Sequence, residues 1–354
     1  MKKPSFWIKL AVSIAFFAIL ARHVRGHDFV AMLKQVDLCY FLLSFALMAG
    51  MISASCLKWA LILKYQGRPL RFGFLMKTYM IGYYFSNLLP SNVGGDVARA
   101  YYVGRHLKSY STAAISVFIE RFSGICFLLL LVIAAPLFVP SLYARPCVAI
   151  PACGALALLG LVAVLATRRS PLAAPRRLTG RLVRGVVRAS RSLHFRAGAR
   201  MGERLEQWLD RLFEKLEGLH DKLAAALRSL RENRGALLGV VALTVLFYAL
   251  TWLNVYLAFL TFGERPAFTA IAALTPVIMF ISMIPISLGS LGLAESAFVF
   301  YFALAGIAPA ASLAVGLFLR LKMIAAGLVG FVVYLGYKGR PSRLPAEPTN
   351  QPEK

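Results

Sequence analysis

The chain has 354 residues, 59% of them hydrophobic, with a formal net charge of +25. A soluble domain of this length needs far more polar surface. The apolar residues run in long blocks, not with period 2 or 3.6, so the fold class is an all-α polytopic membrane protein and not a β-barrel. The positive charge lies in loops between apolar blocks, where arginine and lysine mark the cytoplasmic side and meet anionic lipid, so no nucleic acid partner is expected.

In chain order, Met1, Lys2 and Lys3 precede an apolar run over 6–21. No small-x-small cleavage site follows it; Arg22, His23 and Arg25 do, which predicts an uncleaved first helix with its N-terminus inside. Further spans are predicted over 38–63, 112–139, 146–167, 236–262 and 309–337. Between them lie two interrupted apolar segments, 73–102 and 268–305, which brings the total to about eight. The domain reading is therefore an N-terminal transmembrane half over 1–167, a basic region over 168–235, a C-terminal half over 236–337 and a disordered polar tail over 338–354.

The two interruptions carry the same lesion. The first reads LLPSNVGGDVAR, with Pro90 and Gly94 four residues apart, then Gly95 and Asp96. The second reads MIPISLGSLGLAES, with Pro285 and Gly289 at equal spacing, then Gly292 and Glu295. Proline removes a backbone donor and glycine weakens a helix. At membrane depth, backbone freed in this way is tolerated only against protein or a water-filled cavity. A matched pair of such breaks in two halves points to a transport site.

Charge predicts the topology. Lys64, Arg68, Arg71 and Lys77 before the first break, and Arg105, His106 and Lys108 after it, are all expected inside, so segment 73–102 leaves and returns to one side. The basic stretch 168–234 and the cluster 338–343 are also inside, which puts 263–266 outside; segment 268–305 then leaves and returns to the outside. Breaks entering from opposite faces define an inverted repeat.

Residues 168–234 hold seventeen basic and seven acidic side chains. Leu205, Trp208, Leu209, Leu212, Phe213, Leu216, Leu219 and Leu223 fall on one helical face, which predicts an amphipathic helix lying on anionic inner-leaflet lipid. A gate or a partner-docking surface is the sharper alternative.

Of the 15 acidic residues, only Asp96, Glu120 and Glu295 fall at or near membrane depth. A charge at the bilayer centre costs roughly 2.5–3.5 kcal/mol on insertion scales, so each needs a partner or a task. Arg99 lies one turn after Asp96, Arg121 adjoins Glu120, and Arg320 serves the second half. These charges either cancel one another as internal salt bridges or line a polar cavity for a lipid headgroup, in which arginine forks and the amides after Gly94, Gly95 and Gly289 hold an anion. Trp59, Trp252, Tyr83, Tyr84, Tyr101 and Tyr102 read as interface aromatics. Asn87, Ser91 and Asn92 read as groups that satisfy the backbone near Pro90, with substrate contact as the alternative. Phe298, Phe300 and Phe302 read as packing or lipid-facing residues.

Cys39, Cys56, Cys126, Cys147 and Cys153 lie in or beside apolar blocks without CxxC spacing and read as small core residues. The five histidines lack metal-ligand spacing. No Walker A, GxGxxG or GxSxG motif is present, so no cofactor, metal or catalytic residue is assigned.

LLPSNVGGDVARAYYV with a downstream ERFSG, and IPISLGSLGLAESAFVFYFALAGI with a downstream LFLR, resemble the lysylphosphatidylglycerol synthase transmembrane-region family, also called the flippase-like domain or UPF0104 group. The resemblance covers about residues 5–337. It implies roles for Pro90, Gly94, Gly95, Asp96, Arg99, Glu120, Arg121, Pro285, Gly289, Gly292, Glu295 and Arg320. The family's second motif usually reads GGxGxxE; here Ser290 stands at its second glycine. Full synthases add a soluble aminoacyl-transferase domain that does not follow the last helix here, so lipid aminoacylation is not expected. The resemblance implies lipid movement in the bacterial inner membrane, with both termini cytoplasmic. The cargo would be an aminoacylated phospholipid, a hopanoid or a polyprenyl-linked glycolipid. The alternative is a membrane-embedded lipid or glycan transferase, or its accessory subunit beside a transferase partner.

Overall fold

The computed structural model describes residues 11–16, 18, 20, 36–88, 93–139, 145–167, 218, 225 and 232–338. All regular structure among them is helical. The first half contains α1 (Leu38–Tyr65), α2 (Phe72–Leu88), α3 (Gly94–Leu107), α4 (Tyr110–Phe138) and α5 (Pro146–Thr167). The second contains α6 (Arg234–Thr261), α7 (Phe268–Ser282), a 3-10 turn at Leu288–Ser290, α8 (Leu293–Ala303) and α9 (Pro309–Lys338). Stretches within α1, α4, α5, α6 and α9 are long and apolar enough to cross a membrane, and the chain is an all-α multi-pass membrane protein. Pro90, Ser91, Asn92, nearly all of the amphipathic stretch 168–235 and the tail beyond 338 lie outside the described residues.

Local chemistry sets the long helices. The Asp37 carboxylate caps α1 by accepting from the Cys39 and Tyr40 amides at 2.8 and 3.3 Å. Ser109 caps α4, and Asn233 Oδ1 caps α6 by accepting from the Ala236 amide at 3.0 Å. By contrast α2, α3, α7 and α8 have 17, 14, 15 and 11 residues. At about 1.5 Å rise per residue, each falls short of a hydrocarbon core about 30 Å thick. The interrupted segments are pairs of half-length helices.

The packing of the two halves has one scheme. Helix α1 lies along α6; α2 packs on α9 as α7 packs on α4; α2 meets α3 as α7 meets α8; α3 meets α4 as α8 meets α9. Exchanging α1–α4 with α6–α9 maps this scheme onto itself. Helices α1 and α6 run antiparallel: the Asp37 amide donates to the Thr261 carbonyl at 2.9 Å, Ser44 Oγ donates to Asn254 Oδ1 at 3.0 Å, and Leu61 fills the space over Gly239. Equivalent helices in opposite directions are what an inverted repeat requires. Helix α5 stands outside the scheme, against α4 and α7.

Small residues bring helices close. A Cβ on Gly330 would collide with the Met80 carbonyl on α2, and one on Gly327 with the Asn87 amide group. The main apolar core joins α4, α5, α6, α7, α8 and α9, with Phe259, Phe302, Ile271 and Val315 fully enclosed. Phe298 and Phe302 belong to it, while Phe300 faces outward.

Two readings are corrected. Trp59 is no interface aromatic: it is sealed in a core of α1, α2, α3 and α4, with its indole N–H donating to Ser116 Oγ at 2.9 Å. Of the five cysteines only Cys56 is buried; Cys39 and Cys153 are on the outer surface of the helices. In a membrane protein that surface is itself apolar, so a small apolar residue has no reason to be inside.

Candidate functional site

Asp96 sits in the first turn of α3, where the helix dipole favours a carboxylate. Gly94 and Gly95, both buried, open that helix against α2. A Cβ on Gly95 would collide with the Gly82 carbonyl and Ser86 Oγ, so glycine permits the close approach. This contact places the Asp96–Arg99 turn beside α4.

There the charges form one chain. Arg99 Nη2 donates to Asp96 Oδ1 at 2.6 Å and to Glu120 Oε2 at 3.1 Å. Arg121 Nε donates to both Asp96 oxygens at 3.0 and 3.1 Å. On the far side, Lys58 Nζ of α1 lies 3.7 Å from Glu120 Oε1. The Arg99 guanidinium carbon stands 4.3 Å from the Tyr79 ring centre and 5.1 Å from that of Trp59, a cation–π seat. Arg99 is 1% exposed and Glu120 3%, whereas the Arg121 side chain is half exposed.

The second break has a simpler arrangement. Helix α7 ends at Ser282, and Pro285 lies exposed in the turn that follows, where its missing N–H costs no helical bond. Gly289, Ser290 and Gly292 then adopt φ of 53°, 59° and 79°. Glycine is free there; Ser290 is not, and its hydroxyl donates to the Ser282 carbonyl. The N-terminal helical residues dock on this turn: Ser13 Oγ accepts from the Leu288 amide at 3.1 Å, and Phe16 covers Gly292. Glu295, in the first turn of α8 and 1% exposed, accepts from the Gly292 amide at 2.8 Å and pairs with Arg320 Nε. Arg320 also donates to the carbonyls of Gly289 and Ser290 at 3.4 and 3.1 Å.

The two sites are equivalent in register. Asp96 precedes its partner Arg121 by 25 residues, and Glu295 precedes Arg320 by 25. In each half, a carboxylate in the first turn of a short helix binds an arginine on the long helix that follows.

One cavity of about 530 Å³ joins them. Its wall takes Tyr79, Gly82, Tyr83, Ser86, Asn87, Gly95, Asp96, Arg99 and Arg121 from the first half, and Leu288, Gly289, Leu291, Arg320, Met323 and Ile324 from the second. Asn87 closes the junction by donating to the Met323 carbonyl at 2.8 Å. Glu120 and Glu295 do not line the cavity; each stands behind an arginine. Gly94, Pro285 and Gly292 shape the breaks without lining it, and Pro90 lies outside the described residues.

Sequence reasoning passed over Lys58 and Tyr79, and it read Tyr83 as an interface aromatic where the structure places it on the cavity wall. The signal for Lys58 was its depth: it precedes the end of α1 by seven residues, about 10 Å of helix, too far for a lysine to reach the interface easily. Lys322, two residues after Arg320, faces the other way, toward Ser44 and Asn254 on α1 and α6.

Residues 6–330 match the family described as Lysylphosphatidylglycerol synthase TM region. A "UPF0104 membrane protein" of Methanothermobacter thermautotrophicus is 22% identical over 347 residues, covering 93% of this chain and 95% of that relative. No solved structure matches the chain.

Proposed function

The chain belongs to the Lysylphosphatidylglycerol synthase TM region family, and from that membership and the shared cavity we propose that it is a lipid transporter of the flippase type. The observation that carries the proposal is one cavity lined by both interrupted segments, with charged groups from each half: Asp96 and Arg99 of the first segment, Arg121 of α4 and Arg320 of α9. Asp96, Arg99, Arg121 and Arg320 offer the headgroup charged, hydrogen-bonding partners, while Leu288, Leu291, Met323 and Ile324 offer its glycerol or prenyl neck an apolar surface. Glu120 and Glu295 orient the arginines from behind. The equivalent, antiparallel halves suit alternating exposure of a fixed site by rocking of one half on the other.

In this reading the protein lies in the bacterial inner membrane with both termini cytoplasmic, and the basic stretch 168–235 rests on anionic inner-leaflet lipid. Cargo passes without covalent change, and the cargo class is an aminoacylated phospholipid, a hopanoid or a polyprenyl-linked glycolipid. In proteoliposomes, Asp96→Ala and Arg99→Ala are expected to lower headgroup translocation sharply. Normal translocation by both variants, correctly folded, overturns the site. Turnover of a lipid substrate without its movement would instead favour the transferase reading.

A further inference from the structure

The first cluster contains more positive charge than it needs. Arg99 and Arg121 are already balanced by Asp96 and Glu120, each cation within 3.1 Å of a carboxylate. Arg320 is likewise balanced by Glu295. Lys58 is the addition, with its side chain 4% exposed and its Nζ 3.7 Å from a Glu120 oxygen whose carboxylate already serves Arg99. Burying an ammonium carries a large desolvation penalty, and Lys58 cancels no carboxylate charge that would otherwise stand alone. With it, four cations meet three carboxylates across the two clusters, an excess of one positive charge. A second observation points the same way. Arg99 belongs to the cavity wall, and its Nη1 is buried without a hydrogen-bond partner. A guanidinium nitrogen left without an acceptor in such a place calls for one.

We propose that Lys58, although outside the cavity, sets its charge demand, so that the site takes a lipid headgroup of net negative charge: a phosphate ester without compensating ammonium groups. The chain of contacts runs from Lys58 through Glu120 to Arg99 and on through Asp96 to Arg121. Lys58 occupies one oxygen of Glu120, which leaves Arg99 and Arg121 less fully neutralised toward the cavity. Lys58 is a positioning residue that never touches the ligand. The inference rests on the transporter reading of the cavity. It separates the cargo classes: a phosphodiester or prenyl phosphate fits, whereas a lysyl-phosphatidylglycerol headgroup, with two ammonium groups and one phosphate, does not.

The test is native mass spectrometry of the purified full chain, titrated with phosphatidylglycerol, lysyl-phosphatidylglycerol and phosphatidylcholine. Wild type is expected to prefer phosphatidylglycerol. Lys58→Met is expected to reduce that preference about tenfold, the scale of one unit charge acting over several ångströms at intermediate dielectric. Lys58→Arg keeps the charge and is expected to keep the preference. Lys58→Met with Glu120→Gln restores the excess of one and is expected to recover much of it, which a merely structural lysine would not allow. An unchanged preference in Lys58→Met, or wild-type preference for lysyl-phosphatidylglycerol, overturns the proposal. Inorganic phosphate as competitor distinguishes the source: displacement of the lipid assigns the site to the phosphate group itself, and no displacement assigns it to the esterified headgroup. Arg121→Gln and Arg320→Gln separate the levels. If both bind like wild type, the cavity reading fails; if they lose binding while Lys58→Met does not, only the role of Lys58 fails.

Discussion

Arg99 stands between two aromatic rings and two carboxylates, which fix its position while its Nη1 stays without a hydrogen-bond partner. Tyr79→Leu removes the nearer ring and loses a desolvated cation–π contact of about 2 kcal/mol, which a fall in thermal midpoint in detergent would register. Ser290 adopts a positive φ and recovers part of the cost by its hydroxyl bond to Ser282. Ser290→Ala keeps the strain and loses the bond, so it should destabilise by about 1 kcal/mol; Ser290→Gly loses both and should be near neutral. An equal loss in the two variants would contradict this. Lys322 makes its contacts with neutral acceptors, Ser44 Oγ and Asn254 Oδ1 at 2.7 Å, and with the Phe318 ring at 4.6 Å. Among the described residues it forms no ion pair. Since Ser44 and Asn254 already bond each other, Lys322→Met should be neutral or stabilising in thermal unfolding. A loss of several kcal/mol would mean that the ammonium organises the α1–α6–α9 junction.

At the scale of elements, close approach between helices decides where the charges stand. Helices α2 and α3 meet at Gly82 and Gly95, and α2 and α9 meet where Met80 faces Gly330. Gly330→Val puts a branched side chain into the Met80 backbone. It should push α9 from α2, widen the junction held by Asn87 and Met323, and lower the thermal midpoint by the equivalent of several kcal/mol. An unchanged midpoint would mean that the α2–α9 contact is looser than its geometry. Gly289 has open space around the position of a Cβ, so its constraint is conformational and not steric. The first break thus uses glycine for approach, while the second uses it for positive φ and, at Gly292, for the approach of Phe16 as well.

At the scale of the molecule, hydrophobic blocks and loop charge made the spans, the half-length segments and the antiparallel halves legible, because membrane thickness and backbone satisfaction leave few alternatives. Asp96, Arg99 and Arg121 were legible because charge at membrane depth is rare. The paired spacing of Pro90 and Pro285 pointed to the right segments, yet the equivalence lies in the carboxylates: Asp96 and Glu295 each stand 25 residues before their arginine. Lys58 was missed and Trp59 misplaced for one reason. Sequence gives a residue's depth in its helix but not which face meets a neighbour, and α1 turns both toward α4. The cavity is where the two halves meet, so its arginines should be needed together. The most direct measurement is headgroup translocation in proteoliposomes by Arg121→Gln and Arg320→Gln, one variant from each half, at matched folding. The expected result is that each variant alone loses most of the wild-type rate. Full translocation by both would contradict a cargo path between the two breaks.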